Sequence, residues 1–286
     1  MIVFPNIKIN LGLFITGKRS DGFHNIESVF YPVQWYESLE LLDAAEDNRI
    51  RVHVRSEATV NKLRFRTYGN EIPGVAKENL CVKVYELLEQ WYNLPPTDIH
   101  LLKTLPIGAG LGSGSADAAF TLKAFQSFFD LNISDQEAME LLGKVGSDCP
   151  FFWKNKPMFV FGRGEKMHPI DLDLSNYYVL LINPNLHVST RDVYAGITPN
   201  QPLIDLHLLP DIDVENWADV VVNDFESSVF KQYPKLKKIK LDLYKTGALY
   251  ASMTGSGSTL FGIYKHEPEL LPKWSDHRTW RGKLTV

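Results

Sequence analysis

The stretch Leu105–Ala119, LPIGAGLGSGSADAA, alternates four glycines with small residues and two serines. Each glycine costs backbone entropy on folding, so this density needs a reason. Two readings stand side by side. The run is a tight structural turn, or it is a loop whose bare backbone lets amides approach an anion. In the second case Gly110, Gly112 and Gly114 keep side chains out of the way, while Ser113 and Ser115 add hydroxyl donors. Amides at the start of a following helix, with its favourable dipole, suit phosphate oxygens. No Gly-Lys-Ser/Thr follows, and neither Gly108 nor Gly110 has a glycine at the final position of G-x-G-x-x-G, so neither a Walker loop nor a dinucleotide fingerprint is present.

Two charged residues have settings that ask for an explanation. Lys8 lies between Ile7 and Ile9, where a charge is costly unless paired or functional. An edge-strand lysine that discourages aggregation fits the same pattern. Asp148 sits in the turn Gly146-Ser147-Asp148-Cys149-Pro150, where a lone aspartate most often caps or forms an Asx-turn. A second small-residue cluster is Thr254-Gly255-Ser256-Gly257-Ser258.

The elements that must position these residues are partly readable. Alternation over Ile2–Ile15 predicts a strand with Lys8 and Asn10 on one side and Ile7, Ile9 and Leu11 on the other. Further strands are expected at Ile26–Val33, Ser38–Leu42, Arg49–Arg55 and Leu63–Thr67. Leu80, Val84, Leu87, Leu88 and Trp91 keep a helical stripe. A strand at Asp98–Lys103 leads into the glycine run, and a helix follows from about Ser115 to Phe129. Ser134 and Glu137 have capping-box spacing, predicting a helix to Val145. Later strands fall at Met158–Phe161 and Tyr178–Ile182, and helices at Trp217–Lys231 and Leu236–Tyr244. Thr198–Asp213, rich in Pro and Asp, reads as an exposed connection. The class is α+β, with two halves meeting near residue 150.

Bulk properties set the bounds. The chain has 286 residues, enough for a substantial core in one large domain or two intimate ones. Its net charge of −4 argues against broad nucleic-acid or membrane-surface binding, which want a basic field. Cys81 and Cys149 are too few for a disulfide framework and suggest a reducing compartment. Asn6, Lys8 and Asn10 break the first apolar run, which therefore does not read as a signal peptide. No segment has the length to span a bilayer. A cytoplasmic protein is expected, as monomer or homodimer.

A resemblance narrows these alternatives. Leu105–Ala119 resembles the signature P-x-x-x-G-L-G-S-S-A-A of the superfamily named for galactokinase, homoserine kinase, mevalonate kinase and phosphomevalonate kinase. Phe4–Leu11 is similar to its N-terminal P-A-K-I-N-L, and Met253–Phe261 to its C-terminal T-G-S-G-x-x-x-F. Within it, Thr16–His24 and Gly146–Phe152 resemble blocks T-G-x-R-x-D-G-Y-H and G-A-D-V-P-F-F of the 4-diphosphocytidyl-2-C-methyl-D-erythritol kinases. Gly162–Glu165 and Asn223–Glu226 also fit that branch of the family.

The resemblance implies a two-domain fold with the active site in a cleft. An N-terminal domain of the ribosomal-protein-S5-like type would cover 1–152, and a ferredoxin-like α/β domain 153–286, its last residues able to pack back on the first. It implies a kinase using ATP and Mg²⁺ on a small cytidylated alcohol. Asp148 becomes the general base, with Lys8 beside it to keep it ionised and steady the alkoxide. Asn10, Arg19, Phe23, His24, Thr190 and Tyr194 become substrate-binding residues, Phe23 replacing the usual Tyr. Asn79, Leu80 and Lys103 become adenosine-side residues. Pro106, Gly108, Gly110, Leu111, Gly112, Ser113, Gly114, Ser115, Gly255, Ser256 and Gly257 become ATP-binding, with Ser115 also near the metal. Asp117, where the branch often has Asn, adds a negative charge near the triphosphate unless it points away. Rival readings are a kinase for mevalonate, homoserine or a sugar, and a non-catalytic relative. The Arg19–His24 block argues against the first, and Lys8 with Asp148 against the second.

Overall fold

A computed structural model describes residues 1–44, 54–195 and 197–285. The chain divides into two compact units, and the division is discontinuous in sequence.

The first unit comprises Met1–Asn6, Trp35–Ile107 and Ser113–Lys154. Its sheet runs in the order β1 (Ile2–Val3), β4 (Ser38–Asp43), β7 (Thr97–Lys103), β6 (Leu63–Gly69), β5 (Ser56–Val60). Only β6 and β7 are parallel, and helix α1 (Leu80–Glu89) lies between them in sequence, as a parallel crossover requires. Period-two alternation buries Leu39, Leu41, Leu63, Phe65, Ile99 and Leu101 on one face. Against them α1 sets Val84, Tyr85 and Leu88, and α2 (Ser113–Phe128) sets Ala118, Leu122 and Phe125. Each large apolar side chain buried this way contributes roughly 1.5–3 kcal/mol. Helix α3 (Asp135–Val145) opens with the expected capping box, Ser134 and Glu137 satisfying each other's amides. The short α4 (Cys149–Lys154) follows the Gly146–Asp148 turn.

The second unit comprises Ile7–Gln34, Gly108–Gly112 and Asn155–Val286. One sheet runs β2 (Asn6–Lys18), β3 (His24–Tyr36), β8 (Met158–Gly162), β9 (Lys166–Pro169). A second runs β13 (Arg278–Lys283), β10 (Tyr178–Asn183), β12 (Leu260–Tyr264), β11 (Tyr250–Met253), all antiparallel. Counted along the chain from β10, that order is 4-1-3-2, the ferredoxin-like arrangement. Helix α5 (Thr190–Ala195) follows β10, then α6 (Glu226–Gln232) and α7 (Pro234–Lys245). Leu236, Ile239 and Leu243 of α7 join Ala251, Met253 and Leu260 in one core cluster.

Three expectations change. The helix expected at Trp217–Lys231 is confined to Glu226–Gln232. Residues before it are drawn out to bridge β2: the Leu13 amide donates to Val222 O at 2.9 Å, and the Asp224 amide to Leu13 O at 2.9 Å. Thr198–Asp213 is not simply exposed, because Leu206 and Leu209 are buried in a 3-10 turn capped by Asp205. The strand expected at Arg49–Arg55 falls mostly on residues outside those described. The chain leaves the first unit for the last time after Lys154, while residues 7–34 and 108–112 pack with the second. At the other end β13 pairs along Tyr178–Asn183, and Gln34 Nε2 donates to Thr285 O at 2.6 Å. Among the described residues no helix is long and apolar enough to cross a membrane.

Candidate active site

Within the second unit, β2 is buried along both faces, so its polar residues must find partners inside the protein. Lys8 is 3% exposed. Its Nζ donates to Asn10 Oδ1 at 2.6 Å and lies 4.3 Å from the centre of the Phe30 ring. Asn10 is held in turn: its Nδ2 donates to Ser28 Oγ at 2.9 Å, which donates to Gly12 O at 2.6 Å. The chain Lys8–Asn10–Ser28 thus orients the ammonium, and Asn10 already serves the protein with both ends of its amide.

The glycine turn joins this network through backbone. The Lys8 amide donates to Leu111 O at 3.0 Å, and the Thr259 amide to Ala109 O at 3.3 Å. Thr254 Oγ1 accepts from the Asn10 amide at 3.1 Å, and its proton reaches Gly110 O at 3.0 Å or Asn10 Oδ1 at 3.1 Å. Asn223 Nδ2 spans Met253 O and Gly255 O at 2.7 and 2.8 Å, fixing the second glycine cluster. Three segments far apart in sequence therefore meet: Lys8–Asn10, Ala109–Leu111 and Thr254–Thr259.

Gly110 has φ +79°, and a Cβ there would collide with the Thr254 carbonyl. Its bareness serves a close approach of two protein backbones. Leu111, Gly255 and Gly257 are buried; Gly108 is exposed near His187 and Gly112 half-buried.

His24, Tyr194, Thr190, Phe23 and Arg19, expected to bind substrate, all lie in this unit. The His24 and Tyr194 rings lie 5.2 Å apart, and Tyr194 meets Phe225 edge-on at 4.7 Å. Thr190 Oγ1 is 2.9 Å from Ser256 Oγ, linking α5 to the second glycine cluster. Phe23 is 56% exposed, with the Arg163 guanidinium 5.1 Å from its ring centre. Arg19 is braced by Asp21 and donates to Asn25 Oδ1 at 3.1 Å. The Asp21 carboxyl sits below its ordinary pKa, chiefly because it accepts the Phe23 amide.

In the first unit, Asn79 caps α1 by accepting the Cys81 amide at 2.9 Å, and Leu80 is the first residue of that helix. Pro106 is buried, and Ser113 Oγ reaches its carbonyl at 3.5 Å. Gly114 is exposed with open space around it. The half-buried Asp148 has Ser147 Oγ 3.4 Å from Oδ1. Ser115 hydrogen-bonds the Cys149 thiol, whose pKa burial pushes up to about 12. Ser115 is thus placed against the residue that follows Asp148.

Lys103, expected on the adenosine side, is bonded inside the first unit. Its ammonium is 2% exposed and turned onto Glu37 Oε1 and, at 2.6 Å, Asp117 Oδ2. Asp117, one turn into α2, points into the same cluster. Burial, and then the Asp117 charge, push the Glu37 carboxyl up to about 8. For Lys103, burial pulls the pKa down, but the charges of Asp117 and Glu37 together leave it raised.

Family models decide the relationship. The model of the GHMP kinase N-terminal domain matches residues 79–156, and that of the GHMP kinase C-terminal domain matches 201–274. The chain belongs to the GHMP kinase family. A 4-diphosphocytidyl-2-C-methyl-D-erythritol kinase of Bacteroides fragilis is 45% identical over 94% of each chain. One from Parabacteroides distasonis is 42% identical over 100% of each. A crystal structure of a 4-(cytidine 5'-diphospho)-2C-methyl-D-erythritol kinase superposes with TM-score 0.80 at 26% identity, covering both chains fully. The mevalonate kinase of Methanococcus jannaschii, at 15% identity and TM-score 0.69, shares the fold. In this GHMP kinase the sequence reading missed Ser28 and Glu37. Neither lies in a motif, and only the fold brings them to Asn10 and Lys103.

Proposed function

We propose that this GHMP kinase transfers the γ-phosphate of ATP to the 2-hydroxyl of 4-diphosphocytidyl-2-C-methyl-D-erythritol. The products are the 2-phosphate and ADP, a step of the methylerythritol phosphate route to isoprenoid precursors. The names of the full-length relatives support the substrate. The observation that carries the reading is the bonding of Lys8–Asn10, Ala109–Leu111 and Thr254–Thr259 into one network.

In the transfer, the substrate oxygen forms a bond to the γ-phosphorus while the bond to the β-phosphate oxygen breaks. The hydroxyl proton passes to the Asp148 carboxylate. Lys8, oriented by Asn10 and Ser28, sets its positive charge against the oxygen that becomes negative. Main-chain amides of the glycine turn and of the start of α2 receive phosphate oxygens. His24, Phe23 and Arg19 read the cytidine end, and Thr190 and Tyr194 close on the substrate. On this reading residues 1–152 carry the phosphate loop and base, and 153–286 carry the clamp and second glycine motif.

Magnesium supplies charge neutralisation on the phosphates when bound. Among the described residues no three His, Cys, Asp or Glu side chains are grouped to hold a cation. That donor set suits an ion carried mainly by phosphate oxygens and water. The Ser115 hydroxyl is the protein oxygen that would help hold it.

The test is ATP turnover that depends on the cytidylated alcohol. Asp148→Asn is expected to lower kcat by about 10²–10⁴-fold and to leave ATP binding within about twofold. Near-normal turnover overturns the base assignment. Turnover with mevalonate, homoserine or a sugar instead overturns the substrate.

A further inference from the structure

Glu37, Lys103 and Asp117 are each 2% exposed, and together they place two carboxyl groups and one ammonium in the interior of the first unit. Two negative charges against one positive charge are costly there, unless a proton is added. The geometry provides for that proton. Asp117 Oδ1 is buried and accepts no hydrogen bond from the other described residues as long as Glu37 is ionised, while Glu37 lies within hydrogen-bonding reach of the Asp117 side chain. A protonated Glu37 donating to Asp117 satisfies this acceptor. The cluster then holds one ammonium, one carboxylate and one neutral acid, and sums to zero.

Its position in the chain gives the cluster a task. Glu37 Oε2 also accepts the amides of Thr104 and Leu105, at 3.2 and 3.3 Å. These are the last residues before Pro106, where the chain departs into the glycine turn. Asp117 stands on α2, the helix to which the chain returns at Ser113. Lys103, the last residue of β7, bonds to both acids. The facing titratable groups are Lys103 on β7, Asp117 on α2 and the Cys81 thiol on α1, which burial pushes far up and keeps neutral.

We propose that Glu37, Lys103 and Asp117 are positioning residues for the nucleotide: two carboxyls sharing one proton and one ammonium fix the exit of β7 against the first turns of α2. They thereby set the span across which the loop offers its amides to phosphate. This rests on the reading that ATP binds at the glycine turn.

One negative charge is enough for the brace, which makes the test a double-mutant cycle. Affinity is read by titration with ATP, and amide hydrogen exchange at Thr104 and Leu105 is read in the same samples without nucleotide. Glu37→Gln keeps an acceptor oxygen, and Asp117→Asn lets Glu37 ionise. Each single variant is therefore expected to bind ATP within about threefold of wild type with both amides still protected. The double variant leaves the ammonium without a counter-charge. It should weaken ATP by about tenfold or more beyond the product of the singles, and exchange both amides faster by a similar factor. KM for ATP should rise while kcat stays within about twofold.

A double variant equal to the product of the singles, or with unchanged exchange, overturns the proposal. Should the double variant not fold, Glu37→Leu against Glu37→Gln decides. Only leucine should weaken ATP and expose the amides, and equal behaviour of the two overturns the brace. Failure of wild type to bind ATP overturns the nucleotide reading, and the exchange rates then judge the brace by themselves.

Discussion

The two units hold their shares of the glycine stretch by opposite means. In the second unit, Gly108–Gly112 is held by uncharged backbone: amide to carbonyl at Leu111 and Ala109, and Gly110 pressed against Thr254. In the first unit, the flanking residues are held by buried charge, with Glu37, Lys103 and Asp117 gripping Thr104, Leu105 and α2. Backbone contact admits no added atom but is indifferent to pH. A charge cluster tolerates an isosteric exchange but answers to protons. The same glycine-rich run is therefore held in two separate ways, and each fails under a different insult.

The largest effect should come from Gly110→Ala, where a methyl meets a carbonyl and φ lies in the left-handed region. A loss of about 3 kcal/mol or more is expected from overpacking and strain combined, measured as a lowered thermal midpoint. Wild-type stability in that variant would break the contrast at its firmer end. An intermediate effect should come from pH. Glu37 binds its proton more tightly folded than unfolded, so its stabilisation is complete below its ordinary value of 4.5. It declines as pH rises from there toward about 8. Glu37→Gln should flatten that part of the stability–pH curve, and an unchanged curve places the proton elsewhere. The smallest effect is Gly114→Ala. Open space and a helical backbone predict a gain of about 0.5–1 kcal/mol. Weaker ATP binding in this more stable variant would mark Gly114 as the glycine that faces the ligand.

Local patterns were legible where neighbours in sequence settle the outcome. The α1 stripe, the Ser134–Glu137 capping box and the alternation of β4 and β6 all follow from side-chain periodicity. Trp91, at the end of the expected stripe, lies beyond α1 and is 48% exposed, because the helix stops at Glu89. What was not legible depends on distant partners. The extended run before α6 exists because Leu13 takes backbone bonds on both sides of Asn223. The reason for Gly110 lies at Thr254, and the fate of Lys103 lies at Glu37. A motif shows that glycine is needed, and only the fold shows what presses against it.

The bond between Asn10 and Thr254 joins residues 244 positions apart. During synthesis at about 5–20 residues per second, Asn10 joins the chain roughly 12–50 s before its partner exists. For that interval β2, which is buried along almost its whole length in the finished protein, has no sheltering neighbour from the second glycine cluster. The segment that carries Lys8 is thus among the first to be made, while its partner Thr254 is among the last.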